Sequence, residues 1–251
     1  MTGRKTKRIS KSASVFIPAA AFLILILCTL GISVFINVVR IEVTGNKIYC
    51  KEEVVKASEI SVGDRMLFSD KKGVLEKISS SLPYVSEVNI EYKLPDLVII
   101  NVIETSAIAV INRSDDILVL DSSGRVLEQT KVVTEKYIEV RGFSPAEAIP
   151  GSLMKAGPGD ETRLNQITDA LKIIEGADVA KTVRFIDVSN LAHFIIGYGP
   201  RFTADFGNTD FRFKLSRMPD IIAECERKIK EHETGIINMS EKDQWRWVPD
   251  K

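Results

Sequence analysis

Histidine is nearly absent, with only His193 and His232 in a chain of 251 residues. One lies in the alternating run LAHFIIG, the other near the end of a charged stretch, where a cation favours a helix C-terminus. Neither belongs to an H-E-x-x-H metal motif, and no G-x-S-x-G nucleophile or Cys–His ligand set occurs. Cysteine is scarce too, at three residues. Cys28 sits in an apolar run, while Cys50 and Cys225 fall in regions that read as different domains, so free and mostly buried thiols are expected rather than a disulfide. Nor does either charge dominate, with 34 basic side chains against 34 acidic ones. Binding to nucleic acid needs a basic stripe that replaces phosphate counterions, and no such stripe is visible. These absences leave no catalytic residue, cofactor site or metal site to nominate. Solvated surface is the default reading of the carboxylates.

What is present begins with an asymmetry. Arg4, Lys5, Lys7, Arg8 and Lys11 crowd residues 1–14, a basic tail without an acid. From Val15 to Ile36, "VFIPAAAFLILILCTLGISVFI", no charge occurs. At 1.5 Å per residue this run makes about 33 Å of helix, enough to cross a bilayer core. Pro18 falls in the first turn, where its missing N–H has no helical partner to lose. A cleaved signal peptide has a shorter apolar core and a small-residue cleavage site, so residues 15–37 read as a retained single-pass transmembrane helix. The positive-inside rule keeps the tail cytoplasmic and puts everything after about Val38 outside the membrane.

Beyond the span, Val39, Ile41 and Val43 alternate with charged residues as in a strand, and Gly45-Asn46 supplies a turn. Val54, Val55, Ala57 and Ile60 recur near helical spacing up to Gly63-Asp64. A second helix is predicted from Asp70 to Ser81, with Val74, Leu75, Ile78 and Leu82 on one side and Pro83 as its stop. Two strands follow, around Pro95-Asp96. Residues 38–106 thus read as β-α-α-β-β, a small sheet covered by two helices, and the fold class as α+β. Residues 107–248 are β-rich with two helices, followed by a tail at 249–251. "ILVLDSSGRVLEQ" reads as a hairpin, and "VRFIDVS", "AHFIIGYG" and "RFTADFG" as a meander. Asp160 stands where it can cap a helix carrying Leu164, Ile167, Leu171 and Ile174. Phe211 to Ile229 keeps helical spacing around Pro219, which must kink or start that helix. One last strand is expected near Gly235. Gly197-Tyr198-Gly199-Pro200 reads as a hairpin tip, and Gly157-Pro158-Gly159-Asp160 as a loop leading into a helix, since neither carries the Lys of a phosphate loop.

Taken in order, a basic tail, one span, Val43-x-Gly45-Asn46, Glu53-Val54, Gly63, Leu82-Pro83-x-Val85, Val88, Pro95-Asp96 and "VIINVIE" to Glu104 resemble the POTRA domain of the bacterial cell-division family FtsQ/DivIB. Ile186-Asp187-Val188, Asp205-Phe206-Gly207, Lys214-Leu215 and Gly235-Ile236-Ile237-Asn238 resemble that family's second, β-type domain. The chain departs from the family pattern at Glu104-Thr105-Ser106-Ala107, where Glu-Arg-x-Pro is common, and at Ile237-Asn238, where Ile-Asp is common. The resemblance implies a non-enzymatic divisome scaffold at the septum without a cofactor. Its POTRA domain would serve recruitment, and its β domain would bind single-span FtsB/DivIC-like and FtsL-like proteins. Such partners can add a strand to an exposed sheet edge. A POTRA-bearing assembly or secretion component that handles polypeptides is the alternative. Ile237, Met239, Trp245 and Trp247 are the candidate partner-binding residues. Alternating aromatics at the chain end either form a binding edge or plug the edge of the core.

Overall fold

The computed structural model describes residues 18, 20–26, 37–65, 71–134, 136–177, 179–208, 210–241 and 245–250. The basic tail, Cys28, Asp70 and most of the apolar run at 15–37 lie outside them. Residues 20–26 are helical, and Phe22, Leu23, Ile24 and Leu25 each expose more than half of their surface. Among the described residues no helix is long and apolar enough to cross a membrane. The fold is a mixed α+β one and divides into two compact units, residues 1–76 with 88–102 and residues 77–87 with 103–251.

The first elements are β1 (Arg40–Thr44), α1 (Lys51–Ser58), α2 (Lys71–Ser81), β2 (Val85–Lys93) and β3 (Leu97–Glu104); β1, α1 and most of β2 and β3 fall in the first unit, while α2 is divided at residue 76. Sequence order and element type follow the expected β-α-α-β-β. β3 is the central strand, parallel to β1 and flanked on its other side by β2. Period-2 alternation buries Val98, Ile100 and Val102, and Val54 of α1 is buried in the same unit. Gly45 closes β1 at φ +82°, and a Cβ there would stand 2.0 Å from the Val102 carbonyl oxygen, so only glycine fits this turn. Cys50 is the N-cap of α1, and its N–H donates to Glu53 Oε2 at 2.8 Å in a capping box. A cap lies outside the helix, which leaves the Cys50 thiol exposed rather than buried as the sequence suggested.

α1 ends earlier than its apolar spacing predicts. Glu59 turns left-handed at φ 54°, while Ser58 Oγ donates to the Val55 carbonyl at 2.7 Å and accepts the Ile60 N–H at 3.1 Å. That hydroxyl satisfies groups a continuing helix would have used. The chain then doubles back to its own beginning, as the Gly63 N–H donates to Val38 O at 2.7 Å and the Val38 N–H to Asp64 O at 2.8 Å.

The second unit holds a nine-stranded mixed sheet. Its strands are β4 (Ala109–Asn112), β5 (Ile117–Leu120), β6 (Val126–Thr130), β7 (Ile138–Arg141), β8 (Val183–Asn190), β9 (His193–Tyr198), β10 (Phe202–Asp205), β11 (Gly235–Asn238) and β12 (Arg246–Pro249). They lie in the order β12-β11-β10-β9-β8-β7-β4-β5-β6. The expected hairpin is β5–β6, and its turn is built by Asp121, whose Oδ1 accepts the N–H groups of Ser123 and Arg125, both at 2.9 Å. The expected meander is β8–β9–β10.

Among the described residues after 106 there are three helices, α3 (Glu161–Gly176), α4 (Phe211–Ser216) and α5 (Met218–Lys228), where the sequence predicted two. Pro219 starts α5 instead of kinking a longer helix, because a proline in the first turn has no i−4 carbonyl to forfeit. Asp160 precedes α3 but makes no side-chain cap, since its carboxylate is held by Arg163, whose Nε donates to the Val188 carbonyl at 3.0 Å. Ile167, Leu171 and Ile174 of α3 are fully buried in one core with Ile186, Val188, Phe194 and Ile237 of the sheet.

Candidate functional site

The chain end forms two strands where the sequence reading expected one. Asn238 makes the difference, because its Oδ1 accepts the N–H of Ser240 at 2.9 Å and the Ser240 hydroxyl at 2.6 Å, which turns the chain after β11. β12 returns antiparallel with Gly235 opposite Pro249, Ile236 opposite Val248, Ile237 opposite Trp247 and Asn238 opposite Arg246.

Main-chain directions along this edge follow from three bonds. The Gly235 N–H donates to Arg201 O at 3.3 Å and the Met239 N–H to Asp205 O at 2.7 Å, so odd-numbered residues of β11 bond toward β10. The Asp250 N–H donates to Thr234 O at 2.9 Å, so even-numbered residues bond toward β12. By antiparallel alternation, Val248 and Arg246 bond to β11, whereas the N–H and C=O of Trp247 and the C=O of Pro249 face outward. Proline is tolerated here because its missing N–H would have pointed away from β11. β12 is an edge strand of the sheet, with β11 on one side and no neighbouring strand on the other among the described residues.

Side chains alternate across the same two strands. Ile237 and Met239 are buried in the core, so neither offers its side chain to a partner. Trp247 is half-buried on the same face, with its ring edge-on to Phe202 at 5.8 Å between centroids. Trp245 is half-buried under Lys228, whose Nζ lies 5.4 Å from the indole centroid. The same Lys228 sits 2.5 Å from Glu224 and holds that carboxyl below the usual carboxylate range. The candidate side chains are therefore buried or half-buried at the sheet edge. The large apolar side chains this edge exposes are Ile236 (40%) and Val248 (42%), cross-strand partners on the opposite face. The sequence reading passed over this pair, although alternation from Ile237 and Trp247 was the signal that could have found it.

Elsewhere, His193 at the start of β9 lies 2.8 Å from Asp205 of β10 through Nδ1, and Asp205 Oδ1 also accepts the Gly207 N–H at 2.9 Å. This pair fastens neighbouring strands. Among the described residues no group of His, Cys, Asp and Glu is placed to hold a metal.

Comparison with known proteins supplies the context for this edge. Residues 36–105 match the family model described as POTRA domain, FtsQ-type. The cell division protein DivIB of Clostridium botulinum strain Loch Maree is 31% identical over 242 residues, which is 94% of this chain and 90% of that protein. This chain belongs to the DivIB/FtsQ family of cell division proteins. DivIB of C. botulinum strain Hall is 30% identical over the same shares of both chains, 94% and 90%. FtsQ of Syntrophotalea carbinolica is 25% identical, with 78% of this chain and 68% of that one covered. A solved structure of the major extracytoplasmic domain of DivIB from Geobacillus stearothermophilus is similar over 51% of this chain and 98% of its own, at 18% identity and a TM-score of 0.32. Because the DivIB matches extend over 94% of the chain, they take in both compact units.

Proposed function

We propose that this DivIB/FtsQ-family chain is a non-enzymatic scaffold of the division septum, anchored by a single span at residues 15–37. Its basic tail lies in the cytoplasm and both units lie outside the membrane, a type II single-pass arrangement. The apolar run supports the span, and so do the four consecutive exposed apolar residues at 22–25, which water would not favour. The POTRA domain at 38–106 recruits other division proteins. The β-type domain at 107–248 captures FtsB/DivIC-like and FtsL-like single-span partners.

The observation that carries this reading is the outward main chain of β12. A partner strand laid beside it would find the Trp247 N–H and C=O and the Pro249 C=O, with Ile236 and Val248 on one face to select alternate side chains. Trp245 and Trp247 hold that edge flat against the core, and Ile237 and Met239 hold it from beneath. The chemistry is recognition by contact, with no cofactor and no small-molecule substrate.

The test is to image a fluorescent protein fused to the N-terminus in dividing cells. The expected result is a band at the septum. An even distribution around the membrane throughout division, with the fusion intact, would overturn the reading.

A further inference from the structure

The end of the first unit at which β1 begins gathers an apolar group that the scaffold reading leaves unused. Val39, Val62 and Leu94 expose 57%, 68% and 64% of their surface, although all three are large and apolar. They are far apart in sequence, and main-chain bonds bring them to one place. Gly63 and Asp64 bond to Val38, which sets Val62 beside the start of β1. The N–H groups of Val39 and Arg40 both donate to Asp96 O, at 2.9 and 3.1 Å, which sets the 94–96 turn beside it as well. A basic residue stands near each of the three in the chain, as Arg40 follows Val39, Lys93 precedes Leu94 and Arg65 is three residues past Val62; Arg65 and Lys93 are exposed and Arg40 is paired to Asp96 at 3.1 Å. Among the acids at this end Asp96 pairs with Arg40 and Asp64 Oδ2 accepts the Ser61 N–H at 2.7 Å, while Glu59 and Glu91 are exposed three residues before Val62 and Leu94.

We propose that Val39, Val62 and Leu94 form a membrane-seating surface, lodged in the headgroup layer of the bilayer on the outer side of the span. This inference rests on the reading of residues 15–37 as that span. Its strength is chain length. Ile36 ends the apolar run, and Val38 is two positions further on with only Asn37 between, so the Val38 backbone lies within about 7 Å of the end of the run even when fully extended. The headgroup layer is itself about 5–7 Å deep on each side. The hydrogen bonds at Val38, Val39 and Arg40 begin immediately, which keeps this end of the unit inside that layer. Apolar side chains with Arg and Lys near them in the chain suit that environment, where the former meet acyl chains and the latter meet phosphates. The occupant is therefore lipid, anionic lipid in particular.

The experiment uses the full chain reconstituted in vesicles of phosphatidylglycerol and phosphatidylethanolamine, with the photocrosslinker benzoylphenylalanine at position 39, 62 or 94. A control carries it at Ile48, exposed by 54% beyond the far end of β1. Phospholipid adducts several-fold more abundant at 39, 62 and 94 than at 48, read by mass spectrometry, are expected. Adducts no more abundant than at 48, in protein that resists alkaline carbonate extraction, overturn the seating surface while the span stands. Adducts of doubled protein mass overturn it in favour of a second copy. Complete extraction by carbonate overturns the span reading itself and this inference with it.

Discussion

Replacing Ile237 by alanine tests the register that defines the candidate edge. Ile237 is fully buried and faces Trp247 across a non-hydrogen-bonded pair, where Cβ atoms stand about 4.5–5.5 Å apart. Alanine removes three carbons, worth about 2.4 kcal/mol at roughly 0.8 kcal/mol per methylene, and the cavity left under the indole raises the loss to about 3 kcal/mol. In a unit of this size each kcal/mol moves Tm by about 2–4 °C, so the expected drop is about 6–12 °C. Ile236→Ala, one residue away and 40% exposed, should cost about 1 kcal/mol or less and move Tm by no more than about 4 °C. Both tryptophans of the chain, Trp245 and Trp247, lie on this edge, so a melt followed by tryptophan emission reports the second unit by itself. Equal shifts for the two variants, or a larger one for Ile236→Ala, would refute the register and with it the outward main chain of Trp247.

Gly45→Ala should destabilise the first unit by at least about 2 kcal/mol, from the positive φ and the approach to Val102 O together. Faster hydrogen exchange of the β3 amides is the measure. Truncation after Gly235 should abolish capture of the FtsB/DivIC-like partner in a pull-down while exchange protection in the first unit is retained; unchanged capture would remove β12 from the proposed function. The Cys225 thiol, pushed up to about 11 by burial, should resist Ellman's reagent at pH 8 in the native chain while exposed Cys50 reacts. The unfolded thiol ionises near 9, so this group favours the folded state below that pH and stability should fall as pH rises from about 9 to about 11. Cys225→Ala should flatten that part of the profile in a series of denaturant melts.

Much of the architecture was legible because period and punctuation agree. The β1 and β2 strands, the 3-4-3 spacing of Leu164 to Ile174 and the Asp121-Gly124 turn each combine a hydrophobic period with clear turn or capping residues at the ends. The misreadings came where a single polar atom overrode the pattern. Ser58 ends α1 ahead of Gly63, Arg163 takes the Asp160 carboxylate from the cap, and Asn238 turns the chain so that one expected strand becomes two. At the candidate edge the tryptophans drew attention by type, yet they lie half in the core. The exposed pair is Ile236 and Val248, which composition alone does not single out, because which face of a strand looks outward is decided by the strands and helices packed against it.

Pro249 sets an upper bound on what the edge can hold. β12 is four residues long, and proline occupies one of its two outward-facing main-chain positions with no donor to give. A strand added there forms only two or three main-chain hydrogen bonds, each worth about 1 kcal/mol net. Such a grip is too weak to last in dilute solution. It becomes useful when both chains are tethered to the same bilayer, where the local concentration of one for the other reaches the millimolar range. On the proposed reading, a contact of that kind would be made by crowding and undone by dispersal, so assembly and release would follow local density without a dedicated step to break it.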